Sequence, residues 1–368
     1  MSAVRNHKII IAGGGTGGHI FPAIAIANAI KKYAPNTEIL FVGAKGKMEM
    51  EKVPAAGYKI EGLDIAGFNR SSLLKNLSLP MKIVKSFFQV RNIFKRFYPD
   101  ACIGVGGYSS YPVLKYAQQK GIKTYIHESN SFAGKANIAL AKKASKVFTA
   151  TDGMAAFFPK DKIFVSGNPV RSSIANNHTS REDGLQFFGL DAAKTTVLSV
   201  GGSLGAQSIN EAIAENIDLF AQNDLQLIWQ TGKPFADRAK EISAGKKNVW
   251  VGDFITEMQN GYAAADLVIS RSGAMALSEL CIVGKPVVFV PYPFAAEDHQ
   301  TENAKVLVKK DAAMLIANND AKLKLVNSII ALAKDKTKQA TLAANIKKLA
   351  ITNADEVIAK EILKSLES

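Results

Sequence analysis

A chain of 368 residues is about twice a common single-domain length, so two domains are the starting expectation. Its 47% hydrophobic and 21% charged residues describe a globular protein with filled cores and argue against extensive disorder. The 46 basic and 32 acidic residues leave a formal charge of +14, which favours nucleic acid, anionic lipid or phosphorylated substrates without choosing among them.

The N-terminus runs from MSAVRNHK straight into a short apolar run that ends in glycines, too short and wrongly flanked for a signal peptide. No apolar run approaches the ~18–20 residues needed to span a bilayer. The expectation is a cytoplasmic protein whose membrane contact is peripheral. Short β-branched runs at Lys8–Ala12, Glu38–Val42, Ala101–Val105, Lys123–His127 and Lys146–Thr149 read as strands separated by helical segments. A polar stretch, Val170–Gly184, reads as an interdomain linker. The rhythm resumes at Thr195–Val200, Leu225–Gln230, Asn248–Val251, Asp266–Ser270 and Pro286–Pro291, and from Asp320 onward the pattern is helical and Lys-rich. Apolar strands alternating with helices predict parallel sheets covered on both faces. Both halves open alike, IIIAGGGTGGH at Ile9–His19 and VLSVGGSLGAQ at Val197–Gln207. The predicted fold is therefore α/β, two Rossmann-like domains facing a cleft: residues 1–169, a linker over 170–184, and residues 185–368 with the C-terminal helices.

Gly13, Gly15 and Gly18 fit G-x-G-x-x-G in a strand–turn–helix context. A dinucleotide site also needs an acid at the end of the next strand, and that strand ends in Val42–Gly43. The NAD reading thereby loses most of its force. What remains is a backbone open to close approach and a helix start that offers N–H groups to a phosphate. At that start, His19 fits a neutral imidazole able to accept a proton, and equally a capping or packing histidine. In the second turn Ser203 fits an N-cap or a donor to phosphate.

In the segment Ile269–Pro293, a turn at Arg271–Ser272–Gly273 leads into a helix where Glu279 stands among Ala276, Leu277, Leu280 and Cys281. A carboxylate there needs partners, and two ribose hydroxyls would satisfy it; a solvated surface position is the other reading. Polar residues 297–303 open another helix after a strand. Arg171, at the domain junction, suits a departing diphosphate or simply solvent. There is no D-x-D triplet and no cluster with metal-ligand spacing, so no resident metal is expected. Cys102 and Cys281 lie in apolar stretches and read as buried reduced thiols.

These motifs occur in a fixed order: GGGTGGH at Gly13–His19, GGY at Gly106–Tyr108, HESN at His127–Asn130, GNPVR at Gly167–Arg171, GGSLGA at Gly201–Ala206, RSGA at Arg271–Ala274, SE at Ser278–Glu279 and DHQTENA at Asp298–Ala304. The ordered set resembles the MurG family of peptidoglycan N-acetylglucosaminyltransferases over nearly the whole chain. Leu204 stands where some members carry Gln, and the stretch Tyr292–Glu297 differs in length. The resemblance implies a two-domain glycosyltransferase fold of GT-B type. It also implies inverting transfer of GlcNAc from UDP-GlcNAc to the C4 hydroxyl of the lipid I acceptor, at the cytoplasmic face of the cell membrane.

Carried over residue by residue, the donor contacts fall on Thr16, Gly17, Gly18, Asn130, Arg171, Ser203, Ile255, Ala274, Met275, Ala276, Leu277, Ser278, Glu279 and Gln300. His19 is the candidate base and Glu128 the runner-up, although Glu128 fits a lysine partner as well. No cofactor and no nucleic-acid partner are implied. A different enzyme of the same fold, a lipid or antibiotic glycosyltransferase or a nucleotide-sugar epimerase, is the alternative. A non-catalytic adaptor is a third reading, which two phosphate-type turns make less apt.

The segment Phe68–Tyr98 has no Asp or Glu and interleaves basic with apolar residues. That pattern suits the surface of an anionic bilayer, and also a core-packed helix with its lysines in water.

Overall fold

A computed structural model describes residues 6–66, 79–202, 204–295 and 298–367. The chain divides into two compact units, Met1–Arg171 with Asn353–Ser368, and Ser172–Thr352.

The first unit is built on β1 (Lys8–Ala12), β2 (Glu38–Ala44), β3 (Lys59–Leu63), β4 (Ala101–Gly104), β5 (Lys123–Glu128), β6 (Lys146–Thr149) and β7 (Ile163–Val165). All pair in parallel, in the order β3-β2-β1-β4-β5-β6-β7. Strand β1 shows why its sequence is apolar at every position. Ile10 and Ala12 join one core with Val113, Leu114, Val90 and Phe94, while Ile9 and Ile11 join another with Ile26, Ile30, Ile358 and Ile362. Alternate side chains thus enter helices on opposite faces, and neither face reaches water.

The second unit carries β8 (Thr195–Val200), β9 (Leu225–Gln230), β10 (Val249–Gly252), β11 (Leu267–Ser270), β12 (Val287–Phe289) and β13 (Met314–Leu315). Its parallel order is β10-β9-β8-β11-β12-β13. Val197, Leu227, Trp229, Leu267 and Ile269 meet Ile209, Ile213, Leu325 and Ile329 on one face.

Strands β3, β7 and β13 are absent from the sequence reading, and each is an outermost strand. An edge strand is half-covered, so KIEGL, IFV and ML lack the long apolar run that marks a central strand.

The domain limits also differ from expectation. The C-terminal residues from Asn353 belong to the first unit, not the second. Helix Ala354–Glu367 lays Ile358, Ala359 and Ile362 into the core beside Ile26 and Ile30, fully buried. Tyr33 and Lys32 donate to Glu356 at 2.6 and 2.7 Å at its start. A helical pattern records an apolar face but not which sheet receives it. The stretch read as a linker is likewise structured: helices Ser172–Ala175 and Arg181–Phe188 belong to the second unit. Its polar residues have local work. Ser180 caps Asp183 N–H at 3.1 Å, and Arg181 grips Asp266 with two bonds of 3.0 and 2.8 Å.

Ile362→Ala should lower the stability of the first unit by about 2–5 kcal/mol in denaturant unfolding, since it empties a buried site. The exposed neighbour change Lys364→Ala should stay within about 0.5 kcal/mol. Equal effects would contradict this placement of the helix.

Candidate active site

In the first sheet the strand order turns back between β1 and β4, and in the second between β8 and β11. Open α/β sheets bind ligands beyond the carboxyl ends of strands at such switch points. Glycine turns follow all four strands: 13–15, 106–107, 201–205 and 271–273.

In the first unit two turns interlock. Gly14 N–H donates to Gly106 O at 3.2 Å, and Ser110 Oγ lies 2.8 Å from Ala12 O and 2.9 Å from Gly106 O. A Cβ on Gly107, which has φ +87°, would lie 2.4 Å from Gly14 O, and one on Gly14 would lie 2.3 Å from the Glu49 carboxyl carbon. Neither place admits a side chain. Glu49, 1% exposed, accepts from Gly15 N–H at 2.8 Å and Ala44 N–H at 2.9 Å. The sequence reading looked for an acid at the end of β2. It lies five residues past the strand end, turned inward onto backbone amides.

Helix Gly17–Tyr33 begins directly after the turn, with Thr16 as an N-cap that makes no side-chain cap bond. Thr16, Gly17, Gly18 and His19 therefore sit at an uncapped, positively polarised helix start. His19 Nδ1 is 3.1 Å from Gly14 O, with Thr16 Oγ1 at 3.4 Å. A carbonyl only accepts, so Nδ1 carries the ring proton and Nε2 bears the lone pair of the neutral ring. The Arg171 guanidinium lies over the Phe21 ring, 5.8 Å from its centre, beside this same helix.

Glu128 ends β5 and is 3% exposed. Its Oε1 accepts from Asn130 N–H at 3.1 Å and Asn130 Nδ2 at 3.3 Å; its Oε2 accepts from Gly134 N–H at 3.0 Å and Asn137 Nδ2 at 2.9 Å. Four bonds commit this carboxylate to shaping the loop after β5, a poor setting for a mobile proton acceptor. Beside it His127 is fully buried, and burial pushes its imidazole down to about 4, against the raising effect of the Gly167 carbonyl.

In the second unit Gln230 holds the turn after β8. Its Oε1 accepts from Gly201 N–H at 3.1 Å, and its Nε2 donates to Gly202 O at 3.0 Å and Asp253 O at 2.8 Å. Helix Gln207–Glu215 then starts without a side-chain cap. Ser203 lies outside the described residues. Arg271, after β11, donates to Val290 O, Pro291 O and Asn318 Oδ1 at 2.8–2.9 Å, and to Ser208 Oγ at 3.2 Å. Burial lowers its guanidinium to about 10, so it stays charged at neutral pH. The arginine clamps the exits of β11 and β12 to the helix after β8, a role the sequence reading did not assign.

Helix Ala274–Val283 begins at Gly273, also without a side-chain cap, which sets the first-turn amides of Ala274, Met275 and Ala276 at a polarised end. Leu277 is buried, and Ser278 Oγ donates back to Ala274 O at 3.1 Å. Glu279, 6% exposed, accepts from the buried Tyr262 hydroxyl at 3.0 Å. The sequence reading foresaw that this carboxylate needs a partner but missed Tyr262. Gln300 receives the Ser272 hydroxyl on its main-chain oxygen at 2.8 Å, and its Oε1 accepts from Tyr292 N–H at 3.0 Å. Ile255 is 4% exposed.

Two Rossmann-like units, each with glycine turns at its switch point, define the GT-B class of glycosyltransferase fold. The chain matches the glycosyltransferase family 28 N-terminal domain over residues 9–149 and the family 28 C-terminal domain over residues 196–362. It is 52% identical over 363 residues to a Phocaeicola vulgatus protein named UDP-N-acetylglucosamine--N-acetylmuramyl-(pentapeptide) pyrophosphoryl-undecaprenol N-acetylglucosamine transferase, covering 98% of this chain and 96% of that one. A protein of the same name from Parabacteroides distasonis is 50% identical, covering 99% and 100%. The crystal structure of Acinetobacter baumannii MurG is similar with a TM-score of 0.78 at 28% identity, covering 98% of this chain and 100% of that one. The chain belongs to glycosyltransferase family 28, in its MurG family.

His127 also makes a pH prediction. Its folded pKa lies below the ordinary 6.5, so the stability it confers is present above that value and is lost as pH falls toward 4. Between pH 7 and 4.5 the wild type should lose roughly 2–3 kcal/mol more than His127→Gln, at about 1.4 kcal/mol per unit. Parallel stability curves from urea unfolding would contradict a buried neutral imidazole.

Proposed function

We propose that this protein transfers GlcNAc from UDP-GlcNAc to the C4 hydroxyl of undecaprenyl-pyrophosphoryl-MurNAc-pentapeptide, inverting the anomeric centre, in peptidoglycan synthesis. The observation that carries this reading is the 52% identity over 98% of the chain to a relative so named. The site chemistry supports it. His19 Nε2 takes the C4 hydroxyl proton as that oxygen attacks C1 of GlcNAc. The C1–O bond to UDP breaks and its electron pair leaves on the β-phosphate. The amides at the start of helix Ala274–Val283 and the Arg171 cation stabilise that charge. Glu279, oriented by Tyr262, accepts from the ribose hydroxyls. Thr16, Gly17, Gly18, Asn130, Ser203, Ile255 and Gln300 complete the donor contacts.

The test is a transfer assay with UDP-GlcNAc and a lipid I analogue; UDP release without a disaccharide product would overturn the acceptor assignment. His19→Ala should lower turnover about 10²–10⁴-fold at saturating substrates. Glu279→Ala should weaken UDP binding about ten- to a hundredfold, because a charged hydrogen bond contributes about 1.5–3 kcal/mol. Calorimetry showing unchanged UDP affinity in a folded variant would remove Glu279 from the ribose.

The second half of the proposal is peripheral binding to an anionic membrane. No helix among the described residues is long and apolar enough to cross one. Helix Leu79–Phe97 buries Ser86, Val90, Ile93 and Phe94. Its other side exposes Met81 (73%), Val84 (57%) and Phe88 (61%), with Arg91 and Lys95 continuing the stripe. Such a stripe enters the headgroup boundary with its cations at the phosphates. Lys85 is less apt for that contact, because with Lys45 it pairs with Asp64 and holds that carboxyl down at about 2. Residues 68–78 of the expected membrane segment, Lys75 among them, lie outside the described residues. Val84→Glu with Phe88→Glu should abolish cosedimentation with anionic liposomes yet spare transfer to a short soluble acceptor. Undiminished cosedimentation would put the membrane surface elsewhere.

A further inference from the structure

The Gly14–Gly15 peptide group makes hydrogen bonds at both ends. Its N–H donates to Glu49 Oε2 at 2.8 Å, and its C=O accepts from His19 Nδ1 at 3.1 Å. One planar amide therefore stands between a carboxylate and an imidazole. We propose that Glu49 is a positioning residue for His19, acting through this peptide group. The inference rests on the reading of His19 as the general base.

Glu49 is well fixed for the task. It is 1% exposed, its second oxygen accepts from Ala44 N–H at 2.9 Å, and a Cβ on Gly14 or Gly43 would lie 2.3 or 2.5 Å from its side chain. A carboxylate at the N–H end of an amide polarises it, which strengthens the carbonyl as an acceptor. A stronger acceptor at Gly14 O holds the proton on Nδ1, leaves the lone pair on Nε2, which lies against Gly106, and favours the imidazolium formed when Nε2 takes a proton. This is the logic of a carboxylate-oriented histidine with a peptide plane interposed. Neither His127, Arg171 nor Glu128 supplies this polarisation. His127, from β5, interacts electrostatically with His19 but is neutral at pH 7. Arg171, beside Phe21 of the same helix, is a cation and opposes a second positive charge. Glu128, at the exit of β5, is committed to Asn130, Gly134 and Asn137.

The experiment uses the full chain, UDP-GlcNAc and a lipid I analogue. Glu49→Gln keeps the shape and removes the charge. Turnover should fall about ten- to a hundredfold, the change expected from losing one charge-assisted hydrogen bond. KM for UDP-GlcNAc should stay unchanged, and the acid limb of the turnover profile should move to lower pH because the base is weakened. In a His19→Ala background the same change should cause no further loss. An unmoved acid limb, or losses that multiply, would overturn the proposal and leave Glu49 a structural brace. If Glu49→Gln fails to fold, ¹⁵N-histidine NMR of the unmutated protein decides: neutral His19 should carry its proton on Nδ1, and the Nε2–H tautomer would overturn the relay. Absence of any GlcNAc transfer by the unmutated protein would instead sink the transferase reading, with the NMR result still deciding the relay.

Discussion

The first unit's site depends on backbone approaching backbone at a switch point. Gly14, Gly106 and Gly107 meet at distances that no Cβ allows, and the contact closes only because Glu49 and Ser110 satisfy the polar groups that the turns leave behind. His19 inherits its orientation from that arrangement, since its hydrogen-bond partner is the Gly14 carbonyl. Glycine here has a steric reason, and the buried acid follows from it: turns without side chains expose amides, and a carboxylate is the group that can accept from two at once. The second unit solves the same problem with Gln230, whose amide group both accepts from and donates to its neighbouring turns. An amide side chain brings no charge. That difference leaves a buried negative charge behind the first unit's turns and none behind the second's.

Much of this was legible in the sequence, for identifiable reasons. Central strands such as KIIIA and LQLIWQ are buried on both faces and read as continuous apolar runs. The turns at Gly14, Gly107 and Gly205 announce themselves because a Cβ has no room there. Edge strands are the opposite case: KIEGL in β3 keeps Lys59 exposed and is held by register with β2 rather than by its own pattern. Helix Ala354–Glu367 shows the same limit for helices. Its period predicts a buried face, yet the choice of the first sheet is made by complementarity with Ile26 and Ile30 and by the Glu356 contacts, which join residues more than 300 positions apart.

The site was legible where function is performed by a local motif and opaque where it depends on folding back. The turns before His19 and before the helix of Glu279 are contiguous with helix starts, so a strand–turn–helix reading finds them, while Thr16 to Gly18 and Ala274 to Ser278 are named through the family resemblance. Glu49, Tyr262 and Gln230 bond partners 34, 17 and 29 residues away, and no spacing rule connects them to those partners. Glu128 shows the same limit: its four hydrogen bonds, from Asn130, Gly134 and the helix residue Asn137, are not announced by any spacing.

The distribution of charge follows from these commitments. Arg271 is buried deeply enough to lose some of its affinity for a proton, and its donors hold Val290, Pro291, Asn318 and Ser208 together behind the start of helix Ala274–Val283. A cation fixed in that way contributes field without moving, and its effect adds to the dipole of an uncapped helix beginning three residues later. Arg171, exposed, is the contrasting kind: its guanidinium lies over the Phe21 ring, 5.8 Å from the centre, a contact that contributes about 0.5–1 kcal/mol at an exposed site. The second unit thus carries a preorganised positive end that needs no rearrangement, because its cation is already fixed by four acceptors.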